Sequence, residues 1–80
     1  MLAMDIYFYT TSACHLCDKA EALLWPLVEP HMNLHKIDIA DSESLVGAYG
    51  LRIPLLVCDG RELGWPFDQE QLADFLAIRQ

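Results

Sequence analysis

No stretch of this sequence approaches the roughly 20 consecutive apolar residues that a membrane-spanning helix requires. Basic residues are scarce as well: 5 Lys and Arg stand against 12 Asp and Glu, a formal net charge of −7. A surface of that sign repels phosphate backbones and anionic headgroups, so neither nucleic acid nor membrane is an expected partner. Cysteine numbers only 3, at positions 14, 17 and 58. That is too few, and an odd count, for a disulfide framework. The N-terminal stretch MLAMDIYFYTT lacks a basic start and carries Asp5 inside its apolar run. It reads as a strand, not a secretory signal. The expected compartment is therefore the cytoplasm, where thiols are kept reduced. In that setting a Cys-x-x-Cys at 14 and 17 is expected to be catalytic or metal-binding.

What is present suits a small packed globule. Hydrophobic residues make up 54% of the 80-residue chain and charged residues 21%, which argues against disorder. The length allows one domain, residues 1–80, with modest surface burial. No internal repeat, linker or low-complexity segment interrupts it.

Along the chain, residues 4–10 alternate Ile6 and Phe8 against Tyr7 and Tyr9, a strand pattern. A turn-like TSA leads to Cys14. Ala20, Leu23, Leu24, Leu27 and Val28 then recur at helical spacing. Pro26 is expected to kink or end that helix near Trp25, and Pro30 to close it. Residues 32–40 predict a second strand with Ile37 and Ile39 on one face. Asp41 is expected to cap a short helix that Gly50 stops. Residues 55–59 predict a buried strand, Asp59-Gly60 a hairpin turn, and 61–64 its partner. Asp68 with Gln71 resembles a capping box opening a last helix, with Leu72, Phe75 and Leu76 on one face. The order is β-α-β-α-β-β-α. The first two strands are expected to be parallel, the last pair antiparallel, and helices to cover both faces of a mixed four-stranded sheet.

The chemistry concentrates at Cys14 and Cys17, at a helix start. Unpaired backbone N–H groups and the positive end of the helix dipole favour an anion there. The Cys14 thiol is therefore expected to titrate below the free value of about 8.5. His15, if protonated, adds to this, and Asp18 weakly opposes it. Cys17, one turn on, lies on the same side and deeper. The spacing suggests Cys14 as nucleophile and Cys17 as resolving thiol. Two other readings stay open. A zinc site would need two further ligands, with only Cys58, His31 and His35 as candidates, and both cysteines could simply pack as small apolar residues. His31 and His35 read as surface positions, Cys58 as a small buried hydrophobe, and Trp25 as packing beside the helix kink. The acidic residues at 38, 41, 43, 59 and 62 form no paired constellation.

The string CHLCD at 14–18 after a strand, YGLRIPLLV at 49–57 and DGREL at 59–63 together resemble the glutaredoxin branch of the thioredoxin superfamily. The likeness spans the chain and is narrowest to short glutaredoxin-like proteins of bacteria with this C-H-L-C-D motif. It implies a thioredoxin-like (glutaredoxin-type) α/β fold and a thiol–disulfide oxidoreductase acting in cell redox homeostasis. It also implies a cis bond at Pro54, with the Ile53 backbone pairing an extended substrate beside Cys14. The substrate-binding surface it implies comprises His15, Leu16, Arg52, Ile53, Pro54, Trp65 and Asp68. Arg52 would offer a positive charge to a carboxylate, and Trp65 would either line the groove or cover the hairpin. Thr11 stands where glutaredoxins commonly carry a basic residue, Arg52 replaces the usual threonine, and Gly64-Trp65 replaces a Gly-Gly. Asp68 keeps the acidic residue that starts the last helix. The resemblance implies no required cofactor or metal, with glutathione as reductant or co-substrate. The partner would be a disulfide-containing protein or a glutathione mixed disulfide, and the chain a monomer. The alternative is a non-enzymatic module binding a protein partner or an iron–sulfur cluster.

Overall fold

Strict alternation of burial along Met4–Thr10 makes this segment β1, the strand around which the molecule is built. The computed structural model describes residues 4–77, so the outermost three residues at each end of the expected 1–80 domain lie outside the described residues. β1 is followed by α1 (His15–Leu24), β2 (Met32–Asp38), α2 (Glu43–Tyr49), β3 (Leu55–Cys58), β4 (Arg61–Gly64) and α3 (Gln69–Ala77). The sheet order is β2-β1-β3-β4. β1 pairs parallel with β2 from Met4↔Met32 to Thr10↔Asp38, and antiparallel with β3, setting Tyr9 beside Leu55. β3 and β4 close as the expected antiparallel hairpin, with Asp59 (φ 54°) and Gly60 (φ 75°) at its turn. Glycine takes the left-handed conformation without steric cost, which is why the Asp-Gly pair turns the chain here.

The two faces of β1 have different fates. Ile6 and Phe8 are wholly buried and join Leu56 and Cys58 of β3, Ala20 and Leu24 of α1, and Leu72, Phe75 and Leu76 of α3 in one core. Each fully buried Leu, Ile or Phe contributes about 1.5–3 kcal/mol by leaving water. The opposite face is covered at one end, where Tyr49 of α2 stacks on Tyr9 with ring centroids 4.4 Å apart. Helices therefore lie on both sides of the sheet. Farther along that face Tyr7 stacks on His35 at 4.8 Å, and His35 Nε2 lies 3.1 Å from Asp5 Oδ1.

Local signals explain most element ends. Asp68 accepts from the Gln71 amide at 2.8 Å while Gln71 Oε1 accepts from the Asp68 amide at 2.9 Å, a reciprocal cap for α3. Several expectations need correction. The second strand stops at Asp38, whose carboxylate accepts from the Ala40 amide at 3.0 Å and starts a 3-10 turn over Ile39–Asp41. The cap of α2 is then Ser42, whose Oγ accepts from the Leu45 amide at 3.3 Å, and not Asp41. Pro26 ends α1 near Trp25, the second of its two expected effects, within a 3-10 turn over Trp25–Leu27. Leu27 thus leaves the α-helix although it still packs on the core. Trp25 does not pack beside that turn: it is 53% exposed, and its Nε1–H donates to Glu21 Oε2 at 2.9 Å.

Candidate functional site

β1 delivers the chain to the site and a strained turn orients it. Ala13 holds φ at 60°, in the left-handed region where a Cβ costs roughly 1 kcal/mol. The turn leaves Cys14 in extended conformation (φ −109°, ψ 104°) as the N-cap of α1. In place of the usual side-chain oxygen, Cys14 Sγ accepts the cap hydrogen bond, from the Cys17 amide at 3.2 Å. The Asp18 amide donates to the Cys14 carbonyl at 3.1 Å. A sulfur in this position sits against the positive end of a ten-residue helix with a backbone donor aimed at it.

Cys14 and Cys17 are joined as a disulfide with Cα atoms 5.2 Å apart. Cys14 is half-buried, whereas Cys17 is 1% exposed. His15 and Leu16 between them face outward. One sulfur is approachable and the other recessed, the asymmetry a nucleophile and its resolving partner need.

The antiparallel register brings the start of β3 to the end of β1, so the 51–54 loop shares the Cys14 end of the sheet. The Arg52 and Ile53 amides both donate to the Tyr49 carbonyl, at 2.8 and 3.1 Å. Gly50 makes this exit from α2 possible: a Cβ there would lie 2.6 Å from the Val46 carbonyl oxygen. Pro54 is buried and its bond to Ile53 is cis; the Trp65–Pro66 bond, for which the sequence offered no signal, is cis as well. The Trp65 amide donates to the Pro54 carbonyl at 3.2 Å, tying the end of β4 to this loop.

A cleft of about 350 Å³ opens here, lined by Leu51, Arg52, Leu55, Glu62, Gly64 and Trp65. Leu51 is fully exposed on its rim. Trp65 lines the cleft and packs edge-on against Phe67 at 5.1 Å, at the margin of the core. Arg52 forms an ion pair with Glu62 and lies 5.7 Å from the Tyr49 ring centroid. Its charge has an internal partner. Of the residues implied as substrate-binding, Arg52 and Trp65 meet in this cleft, Ile53 and Pro54 form the loop beside it, and His15 and Leu16 flank the cysteines. Asp68 is engaged in capping α3 and does not line the cleft.

On the other flank a polar recess of about 280 Å³ contains Thr11 and Ser12 together with Asp18, Glu21, Asp38 and Lys36. Lys36 Nζ donates to Glu21 Oε1 at 2.9 Å. Hydrogen bonds from Trp25, and next from Lys36, hold the Glu21 carboxyl below its ordinary value of 4.5. The His35 hydrogen bond, followed by that of Asn33, acts in the same direction on Asp5. A carboxyl whose folded pKa is depressed contributes stability above its unfolded value and loses it as pH falls through the folded value. The urea midpoint is therefore expected to hold from about pH 7 to 5.5 and to fall below about 4.5. Glu21→Gln should flatten part of that fall, leaving the Asp5 share, as followed by tryptophan fluorescence.

The role of Glu62 was not legible in the sequence, because its partner comes from a loop ten residues earlier. The hairpin register carried the only hint. Cys58 is wholly buried in the core cluster, as a small hydrophobe would be. His31 and His35 are exposed. Among the described residues no three His, Cys, Asp or Glu side chains gather as metal ligands, and no helix is long and apolar enough to cross a membrane.

Comparisons with known proteins agree with this geometry. Residues 5–77 match the glutaredoxin-like domain family. The X-ray structure of target protein XcR50 from X. campestris is similar, with 37% identity, a TM-score of 0.81, and coverage of 94% of this chain and 99% of that one. Protein Ne2328 from Nitrosomonas europaea shares 25% identity with a TM-score of 0.72, covering 94% and 93% of the two chains. A mutant thioredoxin from Halobacterium salinarum shares 26% identity with a TM-score of 0.68, covering 92% of this chain and 72% of its own. No curated protein matched. With a thioredoxin-like fold and a Cys14–Cys17 pair at the head of α1, this chain belongs to the glutaredoxin-like domain family.

Proposed function

We propose that this protein is a thiol–disulfide oxidoreductase in which Cys14 attacks and Cys17 resolves. The observation that carries the reading is the pair's asymmetry. Cys14 Sγ caps α1, accepts the Cys17 amide and is approachable, while Cys17 is buried one turn away. In the reduced protein the same amide and helix end stabilise the Cys14 thiolate, the form that attacks sulfur. The Cys14 thiolate displaces one substrate sulfur, which leaves as a thiolate and takes a proton. The resulting mixed disulfide is attacked by Cys17, releasing the second substrate thiol and leaving the Cys14–Cys17 disulfide. Two electrons pass from protein to substrate, and an external thiol reductant returns them.

The substrate in this reading is a disulfide-containing protein or a glutathione mixed disulfide, met at the cleft beside Pro54, and the compartment is the cytoplasm. No cofactor is required; glutathione is one candidate for the external thiol. The iron–sulfur alternative would hold a cluster through the exposed Cys14, with glutathione as co-ligand and a second copy of the protein. The recessed Cys17 one turn behind Cys14 is a partner that exchange chemistry uses and such a cluster does not. The test is turnover of insulin and of a mixed glutathione disulfide by the purified protein with a thiol reductant. Catalysed reduction of either is expected. No activity on either, together with a visible chromophore after reconstitution with iron and sulfide, would replace this reading with the cluster-binding one.

A further inference from the structure

Among the described residues, the cation lining each of these two pockets has a carboxylate partner within the chain. In the cleft beside Pro54, the Arg52 guanidinium pairs with Glu62 of β4. In the recess beside Thr11 and Ser12, the Lys36 ammonium pairs with Glu21 of α1 at 2.9 Å, and Asp18 and Asp38 line the same recess. The first pocket is thus close to neutral, and the second holds three carboxylates against one ammonium. The chain around them carries a net charge of −7. A negatively charged substrate entering from either side must displace an internal carboxylate while approaching a field of its own sign.

From these pairings we infer that Glu62 is a specificity-determining residue. By occupying Arg52 it turns the cleft away from anionic small disulfides and toward polypeptide disulfides with no negative charge beside the reacting cysteine. The inference rests on the oxidoreductase reading. The remainder of the cleft fits such a chain: Leu51 stands fully exposed on one rim and Trp65 forms an apolar wall. Glu62 acts through Arg52 and touches no reacting sulfur, so it is a positioning residue. Its effect belongs in substrate association, leaving the exchange step itself unchanged.

The two probes are glutathione disulfide and its fully esterified form, which differ only in their carboxylates. Protein reduced beforehand and freed of reductant is mixed with each, and the saturating single-turnover rate and half-saturation concentration are measured. The wild-type protein is expected to favour the ester. Glu62→Gln should raise the apparent second-order rate on the acid form about three- to tenfold, through half-saturation, with less than about twofold change on the ester. Glu62→Asp should return most of the wild-type preference, and added salt should narrow the gap between probes in the wild type. An equal change on both probes, or none on the acid form, would overturn the assignment of Glu62. Failure of the reduced wild type to reduce either probe, with insulin also untouched, would overturn the oxidoreductase reading and this inference with it. Failure on both small probes with insulin still reduced would place the discrimination in size and remove the charge role of Glu62.

Discussion

Cys14→Ser is expected to bring insulin reduction down to the uncatalysed background, a loss of at least about a thousandfold, because a serine hydroxyl is not ionised near neutral pH and is a poor nucleophile toward sulfur. Position 14 is half-exposed, so the fold should survive and far-UV circular dichroism should be unchanged. Cys17→Ala separates the two half-reactions. The Cys14 thiolate should still attack, but the mixed disulfide should accumulate, visible as a mass increase confined to the Cys14 peptide. Alanine is the better probe at this site, since Cys17 is 1% exposed and a serine would bury an added hydroxyl. If Cys14→Ser kept full activity, or if the adduct formed at Cys58, the assignment of the nucleophile would be wrong.

The second large effect concerns the strand that aims the site. Phe8 is wholly buried on β1, opposite Leu56 and within the core shared by α1 and α3. Phe8→Ala is expected to cost about 3–5 kcal/mol through lost transfer energy and a cavity. A domain of this length has a total stability of about 4–12 kcal/mol, so the variant should melt at least about 12 °C lower. Tyr7 is the internal comparison, one residue away on the opposite face, 37% exposed and stacked on His35. Tyr7→Ala should cost only about 1 kcal/mol. Equal losses at the two positions would contradict the assignment of the core face.

The parts of this fold legible in sequence were those set by neighbours within a few residues. Alternation at Ile6 and Phe8 fixed the core face of β1, Asp59-Gly60 placed the hairpin, and Asp68 with Gln71 marked the last helix. The Cys-x-x-Cys at the strand-to-helix junction was legible for the same reason. Errors arose where two local signals competed. Asp38 and Ser42 each cap the segment that follows, so Asp41 falls inside a 3-10 turn between them. At Pro26 the expected end of the helix near Trp25 takes the form of a 3-10 turn, with Leu27 packed on the core.

The site was half legible. Both cysteines and the Pro54 loop follow from motifs and resemblance. The pairings of Arg52 with Glu62 and of Lys36 with Glu21 join separate elements, so only the folded register reveals them. The left-handed Ala13 is equally hidden, because alanine carries no preference for that conformation.

The proposed exchange chemistry depends most on Cys14 being an activated, approachable thiolate with Cys17 held behind it. Alkylation of the reduced protein as a function of pH, with the modified peptides identified by mass, measures this directly. The expected result is that Cys14 reacts first, with a midpoint clearly below the free-thiol value of about 8.5, while Cys17 and Cys58 stay protected. Cys14 titrating at or above that value, or Cys17 reacting ahead of it, would contradict the account.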